Sequence, residues 1–249
     1  MAYVEVSVEN QVAYVEFFHP KSNSFPTEQL QKLTRTFHEL SQNDAVTCIV
    51  LSSKGKVFCA GASFDELLEV KDTVEGKQFF SGFKNLLLAM VHCKKIIIGL
   101  VQGKAIGGGV GIVAACDYVF GTEEVACKLS EIQIGIGPFV IEPVISHKIG
   151  KQRMFEMTWN PNQWYDAKWA KNCGLINEIV LGEELAQKSK EKALELVKYN
   201  PEALYSLKEI AWEGKENWEE IMTKRAMLSG TYVLSDFTKE QLQKFKENK

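Results

Sequence analysis

Apolar and polar residues alternate over residues 3–8 and apolar strand formers crowd over Val12–Phe18, with Glu9, Asn10 and Gln11 between them, a pattern that predicts a β-hairpin. Beyond His19 and Pro20, Leu30, Leu33, Phe37 and Leu40 recur at helical spacing. They predict a helix that starts near Pro26, with Thr27 or Ser24 as its cap, and ends near Asn43 and Asp44. Residues 46–51 and Ile96–Val101 are short, almost wholly apolar runs, the mark of strands buried on both faces. Between them Phe79, Phe80, Phe83, Leu86, Leu87, Met90 and Val91 follow a three-and-four rhythm, an amphipathic helix packed on the sheet. Strand and helix in this order imply α/β layering. From Phe139 onward strands thin out, apart from residues 176–181, and helical patterns take over at 185–199, 202–212 and 218–228. The last stretch, 236–249, is polar with Phe237, Leu242 and Phe245 on one side, so it is read as a surface helix or a partner-facing one.

Composition narrows this to a soluble enzyme-sized fold. With 249 residues and 45% hydrophobic content the chain can bury a full core without disulfides or metal. It is expected to form one main unit over 1–190 with a helical region over 191–249. Lys and Arg number 29 against 32 Asp and Glu, so there is no basic excess for phosphate backbones, and nucleic acid is not an expected partner. No long uncharged apolar run and no basic-then-apolar start are present, which leads to the expectation of a cytoplasmic protein with no membrane partner. The six cysteines (Cys48, Cys59, Cys93, Cys116, Cys127, Cys173) sit in apolar surroundings without a Cys-x-x-Cys, as reduced core thiols do. Four scattered histidines offer no zinc-ligand spacing, and no metal or separate cofactor is expected.

Two glycine-bearing loops carry the candidate chemistry. Gly103, Gly107, Gly108, Gly109 and Gly111 follow one apolar strand and precede a helical run over 110–116. Three readings fit this segment: close helix packing alone; a dinucleotide G-x-G-x-x-A pattern at Gly109–Ala114 with Glu131 downstream; or backbone amides at a helix start aimed at an oxyanion. The dinucleotide reading suffers from glycines that begin six residues after the strand and from a helix of barely two turns. The second loop, residues 54–65, also leaves a strand at its C-terminal end. Two small-residue loops leaving two sheet strands can each give one amide to the same oxygen, which favours an oxyanion hole. A nucleophile elbow is not formed at Gly61-Ala62-Ser63-Phe64-Asp65, which lacks the closing glycine, so a hydrolase of that type is disfavoured.

Phe58-Cys59-Ala60-Gly61-Ala62, Gly103 with Gly107-Gly108-Gly109, Cys116-Asp117, and Leu129-Ser130-Glu131 with Gly135 and Pro138 resemble, in order and spacing, the successive motifs of the crotonase (enoyl-CoA hydratase/isomerase) family. The resemblance spans essentially the whole chain. It implies a (ββα)n spiral core with a helical C-terminal region and an acyl-CoA thioester as substrate, so that coenzyme A enters as part of the substrate. It further implies that the amides of Ala62 and Gly108 hold the thioester oxygen, that Glu131 moves protons, and that Ala60, Gly61, Ala62, Ser63, Phe64 and Asp65, with Phe25 alongside, line the CoA site. Homotrimers, or hexamers made of two trimers, are implied as well. Two departures qualify the match. Hydratases of the family resemble one another in a second glutamate two positions after the glycine triplet, where this chain has Gly111; a lone carboxylate beside an oxyanion hole suits a Δ3,Δ2-enoyl-CoA isomerase. Ser63 replaces a common aspartate, and Asp65 is a candidate to take over its contacts.

Glu142, in the apolar run Phe139-Val140-Ile141-Glu142-Pro143, is a candidate second acid; the simpler reading has it facing solvent at a helix start just before a first-turn proline. Phe64, Phe83, Met90 and Phe139 are candidates for an acyl tunnel, with ordinary core packing the expectation for each. A non-catalytic acyl-CoA-binding relative is the alternative from a different functional class, and the retained Glu131 argues against it.

Overall fold

After an opening hairpin the chain lays its strands down in pairs and sends the two members of each pair into different sheets. A computed structural model describes residues 1–247. β1 (Tyr3–Glu9) and β2 (Val12–Phe18) form the expected hairpin, turning at Asn10 and Gln11 with φ of 52° and 63°. After α1 (Thr27–Ser41) come three successive units: β3 (Cys48–Ser53), β4 (Val57–Cys59), α2 (Phe64–Glu69) and α3 (Thr73–Val91); β5 (Ile96–Val101), β6 (Lys104–Ile106) and α4 (Gly108–Ala115); β7 (Tyr118–Gly121), β8 (Ala126–Lys128) and a 3-10 turn at Glu131–Ile134. The remainder is α5 (Glu142–Ile149), α6 (Lys151–Trp159), β9 (Tyr165–Asp166), α7 (Ala167–Asn172), β10 (Glu178–Ile179), α8 (Leu185–Leu196), α9 (Pro201–Ala211), α10 (Trp218–Tyr232) and α11 (Asp236–Glu247).

The first strand of each unit joins a six-stranded sheet of order β1-β2-β3-β5-β7-β10, and the second joins a four-stranded sheet of order β4-β6-β8-β9. Pairings β2–β3, β3–β5 and β5–β7 are all parallel, so each unit advances the spiral by one strand in both sheets. Parallel strands covered on both faces need apolar side chains on both faces. On one face Ile49, Leu51 and Ile97 pack with Phe17, Phe37, Leu86 and Leu87; on the other Cys48, Val50, Ile98 and Leu100 meet Leu185 and Ala193 of α8. The strand expected over 46–51 is shifted to Cys48–Ser53, and that over 176–181 contracts to Glu178–Ile179 because only these two residues pair with β7.

Asp117 ties the helical end to this core. Its Oδ2 accepts from the Ile97 amide and from Lys208 Nζ, each at 2.7 Å, and its Oδ1 accepts from Trp212 Nε1 at 2.7 Å. Lys208 is buried and also donates to the carbonyls of Met90 and Lys95, so the desolvated ammonium is fully surrounded by acceptors. α10 in turn crosses α3 where Gly76 meets Gly230; a Cβ on Gly76 would lie 2.6 Å from the Gly230 Cα. That near-contact of backbones lets α10 reach over the mouth of the spiral. Neither Thr27 nor Ser24 caps α1: Pro26 holds the cap position, and the Thr27 amide and hydroxyl both donate to Glu66 Oε2, at 2.9 and 2.6 Å, tying α1 to α2.

Candidate active site

The ends of β4 and β6 meet at one cavity of about 350 Å³, lined by Ala60, Gly61, Ala62, Phe64, Gly108 and Glu131 among others. The loop after β4 is held by a single bridge of Phe25 to Ala62: the Phe25 amide donates to the Gly61 carbonyl at 2.8 Å and the Ser63 amide to the Phe25 carbonyl at 3.0 Å. In that arrangement the intervening Ala62 amide is left over, and among the described residues it donates to nothing. Gly108 is the first residue of α4, so its amide too has no helical acceptor and, among the described residues, donates to nothing. The two loops are close: the Cβ position of Gly61 lies 3.7 Å from the Gly108 nitrogen. Two amides unpaired among the described residues, one with a helix N-terminus behind it, belong to residues that line the same cavity.

Gly107 makes the bend that frees Gly108. Its φ of 54° with ψ of −119° is open only to glycine, and its own amide donates to the Lys128 carbonyl at 2.9 Å. A Cβ there would come within 2.6 Å of Glu131 Oε1, so the absent side chain is also the space the Glu131 carboxylate occupies. Glu131 opens the 3-10 turn, partly exposed as a residue but with Oε2 buried and without a hydrogen-bond partner. Burial pushes its pKa up from 4.5 to about 7, with backbone hydrogen bonds from its own amide and near Ser130 opposing the shift only in part. A carboxyl of that pKa exchanges a proton readily near neutrality.

Four expected site residues lie off the cavity lining. Phe25 is fully buried, its ring packed on Phe17 and edge-on to Phe83. Ser63 caps α2 by accepting from the Glu66 amide at 3.4 Å, and Asp65 is exposed and paired with Lys21. Glu142 does not face solvent: its side chain is 11% exposed, it accepts from Ser146 Oγ at 2.6 Å, and it pairs with Arg225. The run that carries it turns at Pro138 into α5, which points Phe139, Val140 and Ile141 at the cavity and Glu142 away from it, toward α10. Of the proposed tunnel residues, Phe64, Phe83 and Phe139 do line the cavity and Met90 is core. Lys128, Trp164 and Ser229 line it too, unforeseen because their contacts depend on chain crossings distant in sequence. Among the described residues no group of acidic, histidine or cysteine side chains could hold a metal ion, and the six cysteines are free thiols. No described helix is long and apolar enough to cross a membrane.

A spiral of paired strands with two free amides and one desolvated carboxyl at its mouth has close counterparts among known proteins. The model of the enoyl-CoA hydratase/isomerase family matches residues 7–249, and the chain belongs to that family. A Bacillus subtilis protein named "Probable enoyl-CoA hydratase" is 24% identical over 249 residues, covering 99% of this chain and 96% of the relative. The short-chain-enoyl-CoA hydratase of Clostridium acetobutylicum is 28% identical over 199 residues, 79% of this chain and 76% of its own. The fold superimposes on the crystal structure of an enoyl-CoA hydratase from Bacillus halodurans with a TM-score of 0.90 at 19% identity, covering 97% of this chain and 99% of that one. The expected crotonase-like α/β architecture is therefore the one observed.

Proposed function

We propose that the chain acts on an enoyl-CoA thioester as a one-carboxylate double-bond isomerase. Glu131 is the only acidic side chain lining the cavity among the described residues, and this observation carries the reading. The amides of Ala62 and Gly108 receive the thioester oxygen. The Glu131 carboxylate takes a proton from Cα of a 3-enoyl thioester; the C–H electron pair becomes the double bond between the thioester carbon and Cα while the carbonyl π pair moves onto the oxygen. The Glu131 carboxyl then gives the proton to Cγ of the resulting dienolate, where the Cβ–Cγ π pair takes it up; the carbonyl re-forms and the Cα pair shifts to Cα–Cβ, leaving the double bond there. Nothing is gained or lost by the substrate. Each amide is worth about 3 kcal/mol to the enolate if it behaves like other oxyanion donors.

Hydration is the second reading, favoured by the names of the relatives. It needs a group that holds and activates water opposite Glu131, and position 111 supplies none. Incubating the protein with trans-2-hexenoyl-CoA in deuterium oxide separates the two by mass. Deuterium on carbon without addition of water supports isomerisation, a gain of one water supports hydration, and a bound but unchanged thioester favours a non-catalytic binder.

Assembly into trimers or their pairs is part of the same proposal. Leu207 and Ile210 of α9 are 61% and 59% exposed, apolar surface that a neighbouring subunit would cover. A solution mass of one chain by light scattering would count against it.

A further inference from the structure

The alternation of the small sheet gathers two cations and an indole on the face that bears the cavity. Ala105 and Cys127 pair across β6 and β8, and Cys127 pairs with Tyr165 across β8 and β9; all three are buried. Side chains on a strand alternate between faces, so Lys104, Ile106 and Lys128 project from the opposite face, and the β8–β9 register continued by one residue puts Trp164 opposite Lys128. Lys104 Nζ lies 4.9 Å and Lys128 Nζ 5.3 Å from the centroid of the one Trp164 ring. Ile106, Lys128 and Trp164 all line the cavity that holds Glu131.

Two ammonium groups on a single ring repel each other, and here no anion offsets them. Neither lysine is in an ion pair among the described residues. Asp166, the carboxylate next in sequence to this group, is occupied at the start of α7, where it accepts from the Trp169 amide at 2.8 Å. The indole attracts the cations through its face but cannot neutralise them. Glu131, the one carboxylate of the cavity, lies against Gly107 with one oxygen unpartnered, so it is not their counter-ion either.

The geometry points to an oxyanion-binding site formed by Lys104, Lys128 and Trp164 on the rim of the cavity, which holds a phosphate or carboxylate of the thioester while Glu131 addresses its acyl carbons. This rests on the acyl-CoA reading above. Two parts of such a ligand carry the required chemistry: the phosphates of the nucleotide end and a carboxylate at the far end of the acyl group. A bidentate pair of ammonium groups beside an exposed indole suits either.

Binding by calorimetry, which does not depend on turnover, tests the site with four probes: crotonyl-CoA, crotonyl-pantetheine without nucleotide phosphates, glutaconyl-CoA, and glutaconyl-pantetheine, whose acyl group ends in a carboxylate. Lys104→Gln and Lys128→Gln are each expected to weaken the ligand carrying the recognised anion on the order of tenfold, and Lys128→Arg to restore most of it. Loss confined to both CoA thioesters identifies the phosphates; loss confined to both glutaconyl thioesters identifies the acyl carboxylate. Unchanged affinities, or an equal loss that includes crotonyl-pantetheine, overturn the site while leaving the acyl-CoA reading in place. Wild-type protein that binds none of the four overturns that reading and the site with it.

Discussion

Gly111 backs directly onto Ile141: a Cβ at position 111 would lie 3.1 Å from Cγ2 of Ile141 and 3.3 Å from Cδ1 of Leu87. The position where related hydratases carry a second glutamate is thus closed by the wall that lines the cavity. Restoring the residue alone does not restore the site. Gly111→Glu should destabilise the protein by about 1–3 kcal/mol through overpacking, read as a lower midpoint in urea, and should add no water to an enoyl thioester. Gly111→Glu with Ile141→Ala makes room, and water addition appearing only in the double variant would show that this contact sets the reaction. Hydration by the wild-type protein would sink the idea.

Glu131 links stability to pH. Its carboxyl titrates at about 7 when folded and near the ordinary 4.5 when unfolded, so between these values the folded chain holds more protons. Stability from this group is therefore complete below pH 4.5 and is lost as pH rises through about 7. Glu131→Gln has no such loss. Its melting temperature should match that of the wild type at pH 4.5 and exceed it at pH 8, by no more than about 3 kcal/mol in free energy because the residue is not wholly buried. A difference that does not change with pH would show that the carboxyl is not desolvated.

On the proposed mechanism the same titration governs turnover. A carboxyl that removes the α-proton must be ionised, so kcat/KM for a 3-enoyl-CoA should climb with pH and level off above an apparent pKa near 7. Glu131→Gln should abolish turnover while thioester affinity stays within a few-fold. An unchanged rate would remove Glu131 from the mechanism.

Glu142 and Arg225 brace the back wall. Arg225 also donates to the Phe139 carbonyl at 3.4 Å, so one guanidinium from α10 holds both the cavity-lining turn and the start of α5. Arg225→Met should cost about 2 kcal/mol, less than a fully buried pair because the Arg225 side chain is 33% exposed. Glu142→Gln should retain isomerisation, since the carboxylate points away from the cavity. Its loss with normal stability would restore Glu142 as an acid.

The parts of this protein that could be read in its sequence are those set by local pattern. Apolar strands, the α3 rhythm and the glycine-rich loops follow from nearest neighbours and from period, whereas Ala62, Gly108 and Glu131 are singled out by the resemblance to the crotonase family, and all three line one cavity. Glu142 was misread because its partner is Arg225, 83 positions away on another helix. Lys128 and Trp164 escaped notice because three strands of the small sheet must meet before they share a face. Phe83 was expected in the core, and its ring does pack on Phe25, but its other side reaches Gly108, where a Cβ would lie 2.2 Å from Cε1. One aromatic ring serves both core and site, a distinction that periodicity does not resolve.

Phe245 closes the cavity from the far end of the chain. It meets Phe64 edge-on with ring centroids 6.2 Å apart, and both rings line the cavity. α11 is fixed by contacts close to the Glu131–Ile134 turn: Leu242 is buried beside Ile136, and a Cβ on Gly135 would strike Thr238 Oγ1 at 2.5 Å. The aromatic pair therefore limits the space beyond Phe79 and Phe80. Phe245→Ala removes a lid whose own ring is 44% exposed, so it should cost little stability. It should shift kcat/KM toward longer acyl chains, by roughly tenfold for every two methylenes newly sheltered from water. If six-carbon and twelve-carbon enoyl thioesters keep their wild-type ratio in this variant, the pair does not measure the acyl chain.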